Sequence, residues 1–265
     1  MRVMPIAALL SKVVGAPVRL ALTREEDFEA GFPSVPMVID LKMGVNSDGL
    51  ITAKEVHYVA DNGAYTASAL GVAEVASDYV DVLYSFENVR ARGELVYTNK
   101  LASSAFRGYG NTQMHFAVES MLDELAEEVG LDPVEIRLRN ATQEGDITLH
   151  GKVIGSCGLK EAIRLAVQET DFHRPRQQSG NFARGIGIAC GTHGSGTTRL
   201  LPDGAAALVR VHSDGSVHID TSEGDIGQGA NTVFGQIAAE ELGVPYEKVT
   251  VHPLDTDVTN FGVGA

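Results

Sequence analysis

The 265-residue chain is predicted to be an α+β protein built from two mixed α/β lobes. Three observations support this fold class. Stretches with apolar residues at helical spacing alternate with short apolar stretches that are typical of strands. The turn sequence Ser-Asp-Gly occurs twice, at 47–49 and 213–215, each time between two strand-like stretches. A polar segment at 171–183, which includes Pro175 and Gly180, separates the two halves.

The first lobe begins with an apolar-periodic stretch that predicts a helix, and Gly-Ala-Pro at 15–17 ends it. Ser-Asp-Gly at 47–49 joins two strand-like stretches and predicts a β-hairpin. The stretch 66–84 fits helix and strand equally well. The other elements predicted up to residue 98 are helix 3–14, strand 18–22, a charged loop at 23–27, and strands 37–45, 50–60 and 88–98.

The strongest helix prediction covers 113–130, where apolar residues recur on one face and a glycine ends the helix. Asp132 and Pro133 are typical of a cap and a first-turn proline, so they predict a second short helix. A loop follows over 140–157 and a third helix over 159–170. The acidic residues off the apolar face of the first helix are predicted to face solvent: Glu119, Asp123, Glu124, Glu127 and Glu128.

The second lobe is predicted to be rich in strands. Ser-Asp-Gly at 213–215 joins two of them in a second hairpin. An apolar-periodic helix follows a glycine-rich segment, and a last strand follows that helix. The predicted elements are strands 184–190, 204–212 and 216–222, helix 232–242 and strand 248–254.

Composition and charge restrict the classes of function. Hydrophobic residues make up 44% of the chain, which is enough for a packed core and argues against global disorder. The net charge of −14 argues against nucleic acid and anionic membranes as partners. The apolar stretch 3–15 is too short for a membrane span and contains Lys12, so a cytoplasmic protein is expected. Cys157 and Cys190 lack metal-site spacing and are expected to be reduced thiols.

Two short glycine-braced segments carry the chemistry. Residues 105–110 are Ala-Phe-Arg-Gly-Tyr-Gly, and residues 224–229 are Gly-Asp-Ile-Gly-Gln-Gly. Each precedes a predicted helix, where backbone N–H groups favour an anion and glycine lets a ligand approach the backbone. Arg107 offers a planar pair of donors, and Gln228 offers both a donor and an acceptor. Together the two segments predict an anionic, planar ligand held between the two lobes.

Simpler structural roles fit the same residues. Arg107 and Gln228 would then be the polar tips of tight turns, and the aromatic residues beside Arg107 would pack in the core. Asp225 is more typical of a helix cap than of a general base. The segment His-Gly-Ser-Gly-Thr-Thr at 193–198 fits a surface loop as well as a loop that faces substrate.

The motifs resemble those of the large subunit of the xanthine dehydrogenase/aldehyde oxidase family, the molybdenum hydroxylases. The segment 105–110, with Gln113 and Glu119 after it, resembles the family's Ala-Phe-Arg-Gly-Phe-Gly motif and the following helix. The segment 132–137, Asp-Pro-Val-Glu-Ile-Arg, resembles the next family signature, and 226–229 resembles its Met-Gly-Gln-Gly motif. The similarity extends over essentially the whole chain.

The resemblance implies a molybdenum-molybdopterin cofactor held by two molybdopterin-binding domains. It assigns 1–170 to the C-terminal part of the first domain, 184–265 to the N-terminal part of the second, and 171–183 to a linker. The cytosine dinucleotide form of the cofactor is an open alternative. No metal ligand is expected in the chain, because the pterin dithiolene holds the molybdenum with Arg107 nearby. The residues implied to contact the cofactor are Ala105, Phe106, Arg107, Gly108, Ile226, Gly227, Gln228 and Gly229, and those implied to line a substrate pocket are Tyr109, His193, Ser195 and Thr197.

The resemblance also implies parts that these residues lack. The family's catalytic glutamate belongs to a later Gly-Glu segment, so no catalytic residue is expected within 1–265. The abrupt, apolar ends are interpreted as those of an internal piece of a longer chain that is inactive by itself. Iron–sulfur clusters and FAD are expected on partner subunits or domains, in a hetero-oligomer.

Three functions stay open. The favoured one is part of an oxidoreductase that hydroxylates an aromatic heterocycle or an aldehyde with water as the oxygen source. Glu-Val-Ala at 74–76 stands where purine-oxidising relatives place an arginine, which argues against a purine. The segments 192–196 and 224–232 are similar to the 4-hydroxybenzoyl-CoA reductase branch, which removes a ring hydroxyl. The third is a non-catalytic binding module in which both glycine segments are only turns.

Overall fold

The computed structural model describes residues 3–174, 180–194, 204–252, 254–255, 257–259 and 262. The chain divides into two compact units, Met1–His193 and Gly194–Ala265, and each has helices and its own three-stranded sheet. This composition confirms the predicted α+β class. The division falls after the segment 171–183, whose role as a linker stays a prediction. Within the described residues, no helix is both long enough and apolar enough to cross a membrane.

The described part of the first unit contains six helices and three strands. In chain order they are α1 Val3–Val14, α2 Arg24–Ala30, β1 Met37–Val45, β2 Ile51–Gly63, α3 Ala69–Asp78, β3 Asn88–Tyr97, α4 Asn111–Val129, α5 Pro133–Asn140 and α6 Leu159–Glu169. The helices predicted over 3–14, 113–130 and 159–170 are confirmed, as are the strands predicted over 37–45, 50–60 and 88–98.

β2 lies in the middle of the first sheet, antiparallel to β1 and parallel to β3. Its alternate residues Val56, Tyr58 and Ala60 are almost fully buried, as expected for a strand with one covered face. The helices α3 and α4 cover that face and supply most of the remaining core side chains. Burial of a Val or Leu side chain in such a core contributes roughly 1.5–3 kcal/mol.

Two predictions near the N-terminus of this unit are wrong, and one stretch that the sequence left open now has an assignment. Residues 18–22 form no strand, and residues 23–27 are not a loop but contain the start of α2. The Thr23 hydroxyl accepts the Glu26 N–H at 3.2 Å, and the Glu26 carboxylate accepts the Thr23 N–H at 2.8 Å. This capping box explains why a charged stretch begins a helix. The ambiguous stretch 66–84 contains the helix α3.

The turn between β1 and β2 is bound by the C-terminal end of α5. Ile51 donates its N–H to Asn140 Oδ1 at 2.8 Å, and Asn140 Nδ2 donates to Gly49 O at 2.8 Å. Gly49 has a φ of 76°, and a Cβ there would lie 2.2 Å from Leu131 Cδ1. The predicted hairpin is therefore confirmed, and so is the predicted Asp132 cap of α5.

The described part of the second unit contains the elements β4 Ala207–Val211, β5 Val217–Thr221, α7 Ala230–Leu242, a 3-10 turn at Tyr246–Lys248 and β6 Val249–Val251. β5 is antiparallel to β4 and parallel to β6. The second hairpin and the helix of this lobe are thus confirmed. Both units share one plan, a β-hairpin followed by a helix and a parallel third strand, as the repeated Ser-Asp-Gly turns hinted.

Candidate functional site

The first glycine-braced segment forms a tight turn before α4. Tyr109 donates its N–H to Phe106 O at 2.8 Å, and Asn111 donates its N–H to Gly108 O at 3.0 Å. Residues 108–110 all have positive φ values, of 87°, 49° and 104°. For a tyrosine this conformation costs about 1–2 kcal/mol, and strain of this kind is common at functional sites.

Close packing on α3 holds the turn in this conformation. A Cβ added to Gly110 would lie 2.1 Å from Val72 O, and one added to Gly71 would lie 2.8 Å from Tyr109 Oη. Glycine at both positions lets the start of α4 lie directly against α3. The Tyr109 ring is half-buried and packs against the main core, whereas Phe106 is exposed.

Arg107 is exposed on this turn, and so is Ala105. Among the described residues, the Arg107 guanidinium has no hydrogen-bond or ion-pair partner. The backbone N–H groups of Arg107 and Gly108 also have no acceptor there. An unpaired guanidinium beside free N–H groups can bind an oxygen-rich anion or a planar acceptor.

The second glycine-braced segment is closed by its own side chains. Gln228 Nε2 donates to Gly224 O at 2.9 Å, and Gln228 Oε1 accepts the Ile226 N–H at 2.8 Å. Both ends of the Gln228 amide are therefore engaged inside the loop. Gln228 therefore fixes the shape of the loop. The sequence did not predict this role, because the motif does not show which groups the amide bonds.

Asp225 connects this loop to the first turn of α7. Its carboxylate accepts the N–H groups of Gly227, Gly229 and Asn231 at 2.8–3.3 Å. These hydrogen bonds, with that of Gly227 the strongest, hold the pKa of Asp225 below its usual range. Asp225 therefore has a structural role in the loop, but it is not the N-cap: that position is Gly229, and α7 has no side-chain cap hydrogen bond.

The glycines of this loop face open space. A Cβ added to Gly227 or Gly229 would meet no atom of the described residues within 4 Å, although their φ values of 115° and 82° favour glycine. Of the described residues, none accepts the N–H groups of Gln228 and Ala230. The loop thus leaves two donors at a helix start open to an anion.

His193 lies at the end of the first unit, against α4. Asn111 Nδ2 donates to His193 Nδ1 at 2.9 Å, and the Tyr79 ring stacks on the imidazole with centroids 5.9 Å apart. The predicted pocket residues Ser195 and Thr197 lie outside the described residues. The strand predicted over 184–190 is wrong, because this segment pairs with no strand and its end lies along α4 instead.

A buried ion pair lies below this surface, and it corrects the prediction that Glu119 faces solvent. Glu119 is buried and accepts Arg137 Nε at 2.8 Å and the Tyr84 hydroxyl at 2.5 Å. Arg137 is fully buried and also donates to Asp123 at 2.8 Å. Burial and the Glu119 charge raise the pKa of Tyr84.

Two further buried groups titrate abnormally. Burial, offset in part by the charges of Asp81 and Glu119, lowers the pKa of Lys54 from 10.5 to about 7. Burial, together with the charges of Lys54 and His193, lowers the pKa of His115 from 6.5 to about 4. His115 is therefore a neutral imidazole at pH 7.

The fold and the two turns define a class: a two-unit α+β protein in which backbone N–H groups near two helix starts can bind an anion. A family of such proteins matches almost the entire chain: the molybdopterin cofactor-binding domain model matches residues 1–141, and a second model of the same description matches residues 159–265. The chain belongs to this family of molybdopterin cofactor-binding domains.

Similar proteins include the xanthine dehydrogenase molybdenum-binding subunit of Escherichia coli O157:H7, which is 41% identical over 98% of this chain and 36% of its own length. The crystal structure of quinoline 2-oxidoreductase from Pseudomonas putida 86 superposes with a TM-score of 0.84 at 26% identity, covering 98% of this chain and 35% of that one. Aldehyde oxidoreductase from Desulfovibrio gigas superposes with a TM-score of 0.77 at 28% identity, covering 96% and 28%. The chain thus spans about a third of the length of these relatives.

Proposed function

We propose that this chain holds the molybdenum-molybdopterin cofactor of an oxidoreductase that hydroxylates an aromatic heterocycle or an aldehyde, with water as the oxygen source. The observation that carries the proposal is Arg107, whose exposed guanidinium has no partner among the residues that the structure describes and lies on a strained turn within a matched cofactor-binding domain. When bound, the cofactor supplies the two-electron chemistry and the site at which water is activated.

The first turn supplies a rigid group of donors. The Arg107 guanidinium and the free N–H groups of Arg107 and Gly108 would bind oxygen atoms near the metal end of the cofactor. Ala105 and Phe106 would contact the pterin from the same turn. Packing on α3 keeps these donors in place before the ligand arrives, which lowers the entropic cost of binding.

The second loop supplies donors at a helix start. The N–H groups of Gln228 and Ala230 would bind the phosphate or pterin, and the open space beside Gly227 and Gly229 lets the ligand approach the backbone. In this role Gln228 and Ile226 shape the loop through their shared hydrogen bond. The donor set fits an anionic group, because the N–H groups of Gln228 and Ala230 have no acceptor among the described residues, whereas Asp225 occupies those of Gly227, Gly229 and Asn231.

The substrate would be a small planar or carbonyl compound beside this cofactor. Tyr109, His193, Ser195 and Thr197 would line its pocket. The names of the relatives, which concern xanthine, quinoline and aldehydes, support heterocycles and aldehydes as substrate classes. Residues 74–76 argue against a purine substrate, but one relative is named for xanthine, which is a purine. Purines therefore belong among the substrates to test.

The remaining assignments follow from the same proposal. Iron–sulfur clusters and FAD would belong to partner subunits or domains, and the catalytic base would lie outside residues 1–265. The cytosine dinucleotide form of the cofactor and a cytoplasmic location are parts of this proposal as well. A 4-hydroxybenzoyl-CoA reductase-like activity is the alternative, supported by the similarity of 192–196 and 224–232 to that branch.

Molybdenum retention tests the proposal. The chain is produced in a host that makes the cofactor, and the metal per chain is measured by mass spectrometry for wild type, Arg107→Ala and Arg107→Lys. We expect Arg107→Ala to lose most of the metal and Arg107→Lys to keep part of it, because lysine keeps the charge but not the planar pair of donors. Arg90→Ala, an equally exposed arginine on β3, is the matched control and should keep its metal. Equal metal contents in all four proteins would refute the role of Arg107.

A further inference from the structure

The buried face of α4 carries three polar residues four positions apart, Asn111, His115 and Glu119. Residues four apart lie one above another on a helix, so the three form a row, here called the α4 polar row. Each member meets the segment 190–193, which runs along α4 from its middle back toward its start. Sequence reasoning missed this row because a period of four also fits the apolar face of the same helix.

The inner end of the row is Glu119, which accepts the Cys190 N–H at 3.0 Å. The carboxylate is held in place by the buried Arg137 and by the Tyr84 hydroxyl. A buried carboxylate with a paired guanidinium and two further donors has its charge compensated. This end therefore fixes Cys190 to the middle of α4.

The middle of the row is His115, which lies against Gly191. A Cβ added to Gly191 would lie 3.7 Å from His115 Nδ1. The Tyr79 ring meets the His115 ring edge-on, with centroids 5.6 Å apart and an angle of 90°. The segment 190–193 thus crosses the buried, neutral imidazole of His115 at Gly191, a residue that has no side chain.

The outer end of the row is Asn111, which makes two hydrogen bonds with one amide group. Its Nδ2 donates to Thr192 O at 2.6 Å and to His193 Nδ1 at 2.9 Å. Because an amide nitrogen only donates, His193 Nδ1 must accept, and the ring proton therefore lies on Nε2. The Tyr79 ring stacks on this imidazole. One amide thus sets both the position of the 192–193 backbone and the tautomer of His193.

The same Asn111 also touches the turn that carries Arg107. A Cβ added to Gly108 would lie 2.6 Å from Asn111 Oδ1, and the Asn111 N–H is bonded to Gly108 O. Its Oδ1 is buried and has no hydrogen-bond partner among the described residues. Asn111 therefore stands between the arginine turn and the His193 segment and contacts both.

We propose that Asn111 is a positioning residue: it fixes His193, with its Nε2–H as a donor, at a set place relative to Arg107. This inference rests on the proposed function, in which Arg107 contacts the cofactor and His193 the substrate. Asn111 itself reaches neither ligand. Its side chain acts through His193, while its bond to the arginine turn is made by the backbone N–H, which every side-chain variant keeps.

Asn111→Asp tests the proposal with the smallest change in shape. The substitution removes the Nδ2 donor and places a carboxylate oxygen against Thr192 O, while an acidic residue in the first turn still suits α4. We expect hydrogen–deuterium exchange of 190–194 to rise about fivefold, most at the outer end and least at Cys190, because the loss corresponds to one ordinary hydrogen bond, that to Thr192 O. Thr112→Ala, an exposed neighbour on the same helix turn, is the control and should exchange as wild type does. Unchanged exchange in Asn111→Asp would overturn the proposal.

A pair of substitutions at the partner separates positioning from general packing. His193→Asn keeps an acceptor oxygen near the place of Nδ1, whereas His193→Leu removes the acceptor and fills a similar volume. We expect His193→Asn to keep the exchange of 190–192 close to wild type and His193→Leu to raise it. Equal exchange in the two variants would mean that the Asn111–His193 bond fixes nothing.

The active enzyme that contains this chain gives the functional readout. Asn111→Asp should keep its molybdenum and raise KM roughly tenfold while kcat changes about twofold or less, because Asn111 contacts neither ligand. A loss of molybdenum or an equal fall in kcat would overturn the positioning role. The two proposals fail separately: unchanged metal in Arg107→Ala refutes the cofactor role, whereas exchange of 190–194 in Asn111→Asp tests the row whatever the cofactor does.

Discussion

The two glycine-braced segments have similar sequences but are held in shape by different means. In the turn before α4, packing requires glycine, because Gly110 faces Val72 O. In the loop before α7, Gly227 and Gly229 face open space, and hydrogen bonds from Gln228 and its neighbours hold the loop together. Arg107 of the first segment has no side-chain partner in the described part of the chain, whereas the Gln228 amide of the second bonds within its own loop. A shared glycine pattern therefore does not imply a shared role for the polar residue of each segment.

Their places in the common plan of the two units differ as well. The second segment lies between the hairpin and the helix of its unit, before α7. The first lies after the third strand, before α4, which has no counterpart among the described elements of the second unit. The two segments are thus not equivalent positions of a repeat, and each must be tested by its own substitutions.

Replacing a glycine in each segment should give the largest difference. Gly110→Ala adds a Cβ 2.1 Å from a carbonyl oxygen at a φ of 104°, so we expect the first unit to lose roughly 3 kcal/mol or more. Gly227→Ala adds backbone strain without a clash, and roughly 1 kcal/mol should be lost from the second unit. Urea denaturation followed by circular dichroism measures both. Equal losses would show that packing on α3 is not what fixes the first turn.

Acid should weaken the first unit through His115. Its folded-state pKa of about 4 lies below the ordinary 6.5, so between these values the unfolded chain binds a proton that the folded chain does not. Stability is therefore complete above pH 6.5 and falls as the pH drops toward 4, by at most about 3 kcal/mol, because one pKa unit corresponds to about 1.4 kcal/mol. His115→Gln should flatten this part of the stability profile, measured by denaturation at several pH values. An unchanged profile in His115→Gln would show that another group causes the loss.

Removing the amide of Gln228 should have a smaller effect that stays within its loop. Gln228→Ala removes two hydrogen bonds, and we expect about 1 kcal/mol of local stability to be lost. Hydrogen–deuterium exchange of 224–230 should rise, while that of β5 stays the same. The control Gln168→Ala, on the exposed face of α6, should change neither. Unaltered exchange in Gln228→Ala would mean that Asp225 alone holds the loop.

Removing Arg107 should have the smallest effect on folding. Arg107→Ala deletes a side chain that has no partner among the described residues, so its free energy of unfolding should change by less than about 0.5 kcal/mol. The contrast with its expected loss of molybdenum separates a binding residue from a structural one. A loss of stability as large as that of Gln228→Ala would reverse the comparison drawn above.

The sequence predicts the elements well where local signals suffice. The two hairpins follow from Ser-Asp-Gly, and α5 follows from the Asp132 cap and the proline after it. The prediction failed at 23–27, where a capping box was mistaken for a charged loop, and at 184–190, where an apolar stretch packs along a helix instead of pairing in a sheet. Period alone cannot distinguish these outcomes, because partners far along the chain decide them.

The candidate site shows the same limit. The glycine-braced segments themselves were found from the sequence, and the family resemblance of the chain is confirmed. Whether each predicted contact residue binds a cofactor or substrate stays a prediction. The burial of Glu119 depends on Arg137, and the position of His193 depends on Asn111, which lies 82 residues away in the chain. No local pattern records such pairs.

The Asn140 contact with the β1–β2 turn has a consequence for protein engineering. Hairpin turns are usual places to insert an epitope tag or a fluorescent label, because their tips face solvent. An insert at 47–49 would break the hydrogen bonds of Gly49 and Ile51 with Asn140 and disturb the packing of Leu131 against Gly49. In the described part of the chain, no helix side chain binds the equivalent Ser-Asp-Gly turn at 213–215, and a Cβ on its glycine would meet the flexible Lys248 Nζ, 3.3 Å away. We therefore expect the second turn to accept a label without disturbing the packing of a helix.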